Sequence, residues 1–260
     1  MNFDLNFIPE RPEKPRSKGV TMMMDKGLSI REVENFIDSS ANYTDLVKLG
    51  FGTSYLTNNL EEKIRLYREA GMKIYLGGTL FEAFIARNRF EDYVRLLDKY
   101  GLNTAEVSDG SIYIDHSKKC EYITKLSKYV TVLSEVGSKD ADVLIPPHKW
   151  IEMIQKELEA GAWKVTAEAR EGGNVGIFRN SGEIRSDLIE EINRNISPED
   201  ILWEAPKKSQ QVWFIKFLGA NVNLGNIASN EVIPLETLRL GLRGDTFFQF
   251  LPEELQPNNK

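Results

Sequence analysis

The chain has 260 residues and a formal net charge of -6, with 41% hydrophobic and 28% charged residues. That acidic balance argues against nucleic acid or an anionic membrane as a main partner, and no apolar stretch approaches the ~20 residues needed to cross a bilayer. A single cysteine, Cys120, excludes an internal disulfide framework and fits a reducing compartment, so the expected location is cytoplasmic. The composition leaves a homo-oligomer open.

The N-terminal stretch "MNFDLNFIPERPEKPRSKG" has no hydrophobic core followed by a small-residue cleavage site, and it carries prolines at positions 9, 12 and 15. It reads as an extended arm over residues 1–18. A first apolar strand follows in "VTMMM" (20–24). Ser29-x-x-Glu32 then forms a capping box in front of Ile30, Val33, Phe36 and Ile37, which share one helical stripe. "LVKLG" (46–50) is the second strand, Leu60, Ile64 and Tyr67 mark the next helix, and Gly71 closes it. The same grammar gives "KIYLG" (73–77), a helix stop at Gly101, "TAEVS" (104–108) and "VTVLSEV" (130–136). Cys120 falls on the helix between the last two, where it reads as structural. Trp150, Ile154 and Leu158 line a helix that stops at Gly161 before "KVTAE" (164–168). "ILWEA" (201–205), a helix ending at Gly219 and "NVNLG" (221–225) complete the series, and residues 251–260 read as a tail.

Strict alternation of strand and helix implies parallel strands joined by right-handed crossovers. Eight units in ~250 residues predict an α/β fold of the closed (β/α)8 TIM-barrel type, one domain over residues 19–250. The segment "KVTAEAREGGNVG" supports this reading. Val165, Ala167 and Ala169 lie on one side, and Lys164, Thr166, Glu168 and Arg170 on the other. Apolar outward toward helices and charged inward toward an axis is what a functional barrel strand requires.

The C-terminal strand ends of such a barrel carry its active site. In this sequence they offer Asp25 and Lys26 after strand 1, Lys48 in strand 2, Gly77 and Gly78 after strand 3, and Ser108 and Asp109 after strand 4. Strand 5 offers Glu135, strand 6 Glu168 and Arg170, strand 7 Glu204, and strand 8 Asn223, Gly225 and Asn226. Three carboxylates converging from neighbouring strands repel one another unless a cation intervenes, and all-oxygen ligation suits Mg2+ at Glu135, Glu168 and Glu204. The competing reading pairs each glutamate with a base such as Lys164 or Arg170. An inward Lys48 serves as an ion-pair partner, an anion anchor or a proton donor. "GFGT" (50–53) lacks dinucleotide spacing, the two histidines form no zinc motif, and the glycines near 78 and 225 expose backbone N–H groups suited to phosphate. The glycine-dotted stretch 170–183 is either a lid or an irregular surface loop.

Taken together, "VTMMMDKG", "DLVKLGFGTS", "GGTLFE", "EVSDGS", "LSEVG", "AEARE", "LWEAP" and "NLGNI" resemble, in that order, the phosphosulfolactate synthase family. The resemblance runs from Gly19 to Phe250. It implies a (β/α)8 barrel lyase that adds sulfite to phosphoenolpyruvate with Mg2+, giving 2-phospho-3-sulfolactate. By that resemblance Mg2+ sits on some of Glu135, Glu168 and Glu204, Lys48 protonates C2, and Arg170 and Lys139 meet sulfite or carboxylate. Gly225 and Asn226 are the expected phosphate contacts, with Asp25, Lys26, Gly78, Asp109 and Asn223 as further substrate-side residues. Two alternatives stand beside it: a stress-related barrel relative without the reaction, and another enolate-forming lyase acting on a phosphorylated acid.

Overall fold

A computed structural model describes residues 2–137, 145–169, 172–179 and 181–257. The short apolar stretches form eight strands: β1 (Thr21–Asp25), β2 (Leu46–Leu49), β3 (Lys73–Leu76), β4 (Thr104–Val107), β5 (Thr131–Val136), β6 (Ala162–Ala167), β7 (Ile201–Glu204) and β8 (Leu224–Ala228). All ladder pairs are parallel, in the order β3-β2-β1-β8-β7-β6-β5-β4. β3 and β4 lie together at the seam, so the sheet is a nearly closed barrel. The helices wrapped around it are α1 (Ile30–Ser40), α2 (Leu60–Glu69), α3 (Gly78–Ile85), α4 (Phe90–Lys99), α5 (His116–Leu126), α6 (Pro147–Glu159), α7 (Ser186–Asn195), α8 (Lys208–Leu218) and α9 (Val232–Arg239). The expected single-domain (β/α)8 barrel is the observed fold. No helix among the described residues is long and apolar enough to cross a membrane.

Local chemistry sets the boundaries. Ser29 and Glu32 form the reciprocal capping box, with Ser29 N–H donating to Glu32 Oε2 at 2.7 Å. Gly71, Gly101, Gly161 and Gly219 all adopt positive φ where a helix hands over to a strand, a region closed to most side chains.

The barrel interior is layered by the two-residue period of its strands. Val20, Met22, Leu46, Leu133 and Leu202 fill the lower tier, each fully buried. Burial of each such side chain is worth roughly 2 kcal/mol. Two residues further along their strands, Leu46 gives way to Lys48, Leu133 to Glu135 and Leu202 to Glu204, and these charged groups form the upper tier. On the outer face Val165, Ala167 and Ala169 join Trp150, Ile154 and Ile192 in the layer between sheet and helices. The inverted pattern of β6 is therefore realised.

Strand 8 starts three residues later than its sequence pattern suggested. Asn223 precedes it at the barrel base, where Oδ1 accepts from Val20 N–H at 3.0 Å and the amide donates to Ile201 O at 3.0 Å and Glu199 O at 3.1 Å. A side chain that satisfies so many backbone groups overrides the β pattern of "NVNLG". The N-terminal arm closes this same end. Arg11 pairs with Glu236 at 2.8 Å, and Lys164 Nζ donates to Ser17 O at 2.7 Å.

Candidate active site

At the opposite end, a cavity of about 330 Å³ opens among the C-terminal strand ends. Its walls include Lys48, Gly78, Glu135, Glu168, Glu204 and Asn226, six of the residues singled out from the sequence, together with Met24, Phe51 and Gly172. Lys48 is the centre of this group. Its ammonium lies 3.0 Å from Glu106 Oε1, 3.3 Å from Glu135 Oε2 and 3.6 Å from Glu204 Oε1. Burial alone would lower its pKa, but the three carboxylates outweigh burial and hold it well above the ordinary lysine value.

The carboxylates respond in the opposite sense. Burial pushes Glu204 up to about 7, against the pull of Lys48 and with the repulsion of Glu135. Glu106 is raised by burial too, and repulsion from Glu135 adds to this while Lys48 opposes it. Glu204 Oε2 accepts from Ala169 N–H at 2.9 Å, and Glu106 Oε2 accepts from Gly78 N–H at the first turn of α3. Below them Tyr75 is fully buried beside Lys48 in the β2–β3 register, and its hydroxyl has no hydrogen-bond partner among the described residues. Asn226 adopts φ 57° at the rim, 7% exposed, with Oδ1 likewise unpartnered among the described residues.

Glu106 is the residue the sequence reading missed. Ala105 and Val107 face the helices, so the alternation in "TAEVS" already turned Glu106 inward. The rule that barrel sites lie beyond the strand ends selects Ser108 and Asp109 instead.

Other expected site residues fall outside the cavity wall. Asp25 is fully buried and organises the β1–α1 connection, accepting from Gly27 N–H at 2.7 Å, Leu28 N–H at 2.8 Å and Tyr67 OH at 3.0 Å, with Lys63 at 3.1 Å. Lys26 lines a separate shallow cleft with Thr53, Leu56 and Asn59. Asp109 pairs with Lys119 at 2.9 Å. Gly225 packs inside the barrel, where an added Cβ would stand 2.8 Å from Met22 Cε. Asn223 belongs to the base. Arg170 and Lys139 lie outside the described residues.

The connection after β6 is anchored where it is described. Ile177 N–H donates to Glu168 O at 3.1 Å, Arg185 Nη1 to Gly176 O at 3.0 Å and Gln210 Nε2 to Gly173 O at 3.0 Å. Its own Val175, Ile177 and Phe178 are buried. These bonds tie the segment beside Gly172 to β6 and α8, and Gly172 forms part of the cavity wall.

The donor set bears on a metal. No group of three or more Asp, Glu, His or Cys side chains among the described residues already stands as a metal-binding set, because Lys48 occupies the space between the carboxylates. Three glutamates contact Lys48, a fourth, Glu168, lines the same cavity, and every carboxylate donor is a hard oxygen. Such a set fits a Mg2+-type cation.

A parallel barrel that brings a lysine, three glutamates and a helix N-terminus to the mouth of its strands, with a fourth glutamate deeper in, defines a barrel enzyme for a small, charged substrate. The sequence matches the (2R)-phospho-3-sulfolactate synthase (ComA) family over residues 9–245, and the chain belongs to that family, whose enzymes are of the lyase type. It is 41% identical to phosphosulfolactate synthase of Bacillus subtilis over 244 residues, which span 93% of this chain and 97% of the relative. The enzyme of the same name from Methanothermobacter thermautotrophicus is 41% identical over 246 residues, 92% of this chain and 95% of the relative. Among solved structures, 3-hexulose-6-phosphate synthase from Salmonella typhimurium superposes with a TM-score of 0.57 at 13% identity, covering 86% of this chain and 100% of that one. That likeness is one of fold.

Proposed function

We propose that this enzyme adds sulfite to C3 of phosphoenolpyruvate in the presence of Mg2+, forming 2-phospho-3-sulfolactate. The observation that carries the reading is the Lys48 ammonium, buried at the cavity floor and ringed by Glu106, Glu135 and Glu204. The sulfite sulfur forms the new bond at C3, the C2–C3 π electrons move toward the substrate carboxylate, and C2 then takes a proton. Lys48 is the donor: its raised pKa keeps it charged at neutral pH, and it lies beside the wall residues that enclose the substrate. Glu106 and Glu135 hold the ammonium in one orientation, so that its proton is delivered to one face of C2.

Glu135, Glu168 and Glu204 would hold Mg2+, which when bound would supply Lewis-acid stabilisation of charge on the substrate carboxylate. Asn226 lines the rim, where its amide N–H2 is assigned to the phosphate, and Thr79 in the first turn of α3 lines the same wall. Arg170 and Lys139 are assigned to sulfite or carboxylate because they follow β6 and β5 in sequence. Phe51, Met24 and Gly172 restrict water at the mouth.

The test is direct. Incubation with sulfite, phosphoenolpyruvate and Mg2+ yields phosphosulfolactate by mass spectrometry, and no product at saturating substrate rejects the assignment.

A further inference from the structure

A second buried ionic cluster lies behind β5, outside the cavity. Lys119 on α5 is 1% exposed, and Glu157 on α6 is fully buried. A lysine ammonium has three protons to donate, and Lys119 meets three acceptors. They are Glu135 O at 2.5 Å, Asp109 Oδ1 at 2.9 Å and Glu157 Oε1 at 2.8 Å. Each acceptor belongs to a different part of the barrel: the active-site end of β5, the β4–α5 connection and α6. His116 Nε2 lies 3.2 Å from the same Glu157 oxygen.

We propose that Lys119 is a positioning residue, a three-legged brace that fixes Glu135 and the β4–α5 connection against α6. Glu135 is held at both ends, its backbone carbonyl by Lys119 and its carboxylate by Lys48. The β4–α5 connection is held twice as well, since Glu82 on α3 accepts from Ser111 N–H at 2.6 Å and Ile112 N–H at 3.1 Å. Stability alone does not account for the brace. Well-packed apolar residues commonly serve as well as a buried ion pair, and Glu157 Oε2 has no hydrogen-bond partner among the described residues. An incompletely satisfied buried pair is a poor stabiliser, yet it fixes geometry well because the ammonium has no alternative acceptors.

The inference rests on the reading of Glu135 as a working residue of the lyase site. Its test removes the buried lysine and glutamate together, as K119M/E157L, and leaves only Asp109, whose side chain reaches solvent, without its partner. Melting temperature should stay near that of the parent enzyme. The kcat should fall about 100-fold with KM for phosphoenolpyruvate changed less than about threefold, as expected when reacting groups are misplaced by about 1 Å. Hydrogen exchange should accelerate at residues 109–112 and 135–137. A folded double variant with unchanged kcat or unchanged exchange overturns the proposal. Should the double variant fail to fold, D109A, which removes the acceptor oxygen, decides. It leaves the Lys119–Glu157 pair in place, and a kcat equal to the parent's overturns the brace. E135Q in the same assay separates the two readings. Undiminished turnover of E135Q removes Glu135 from the mechanism, whereas an impaired E135Q beside a fully active K119M/E157L overturns the Lys119 proposal alone.

Discussion

Replacing Lys48 with methionine keeps the volume and removes the cation that lies between Glu106, Glu135 and Glu204. At contact distances of 3.0, 3.3 and 3.6 Å the lost attraction is large in gross terms. It is ~5 kcal/mol per contact at an effective dielectric near 20, offset by the desolvation the ammonium no longer suffers. Removal of one partner from a buried pair costs about 3–5 kcal/mol net because the remaining charge is stranded. Protonation lets the carboxylates escape that penalty, so the cost depends on pH. Glu204 is already raised from 4.5 to about 7 with Lys48 present, and without it the carboxylates rise further. At pH 5.5 K48M folds with neutral glutamates and loses little. At pH 8 each group either ionises unpaired or takes a proton at about 1.4 kcal/mol per pH unit. For a chain of this size ~3 kcal/mol corresponds to a drop of about 10 °C. Thermal melts of both proteins at the two pH values measure the difference. Equal melting-temperature losses at pH 5.5 and pH 8, or none at either, would refute the idea that Lys48 is the counter-ion of the cluster.

The parent enzyme has a milder pH dependence of its own. Glu204 binds its proton more tightly folded than unfolded, so the stability it contributes is complete below about 4.5 and lost as pH rises through 7; metal-free melts between pH 5 and 8 should slope downward. E106Q keeps an acceptor for Gly78 N–H but removes the closest negative charge from Lys48. Its pH–rate profile should therefore lose activity at lower pH on the alkaline side, with kcat down about 100-fold; an unmoved alkaline limb rejects Glu106 as the partner. E168Q should raise the Mg2+ concentration for half-maximal turnover about 10–100-fold while the melting temperature of the metal-free protein changes little. In G176A, the new Cβ would meet Glu168 O at 2.0 Å on a backbone at φ 61°, so a loss of about 2 kcal/mol or more in denaturant titrations is expected.

The outer layer of this fold was legible in the sequence, because helix stripes and glycine stops depend on neighbours a few residues apart. Gly71, Gly101, Gly161 and Gly219 located four helix-to-strand turns without any tertiary information. The inner layer was legible only in part. Alternation turned Lys48, Glu135 and Glu204 toward the axis, but it is blind to which inward groups touch. A lysine and a divalent ion answer the same repulsion, and sequence spacing cannot choose between them. The structure puts Lys48 at the centre and adds Glu106, which stands deeper than the strand ends where functional residues were sought. Asn223 misled for a related reason: a polar residue in a strand pattern reads as functional, but here its amide caps the barrel base. Asp25 and Asp109 sit at the correct end of the barrel, yet each is engaged by a lysine from an outer helix, Lys63 or Lys119.

Those two lysines point to a common construction. Leu46, Leu133 and Leu202 each precede a charged residue by two positions, so the same strands that fill the apolar floor also carry the ionised tier above it. A rigid floor matters because the upper tier is electrostatically frustrated: three glutamates face one lysine, and small displacements exchange attraction for repulsion. Outer helices then fix what the floor cannot reach. Lys63 holds Asp25 from α2, Lys119 holds Asp109 and Glu135 O from α5, and Gln210 holds Gly173 O from α8. In each case a buried polar side chain passes outside the barrel wall to grip the loop end of a strand. The charged tier therefore depends on helix packing as much as on strand register. Substitutions on the inward-reaching faces of α2, α5 and α8 should impair turnover before they unfold the chain.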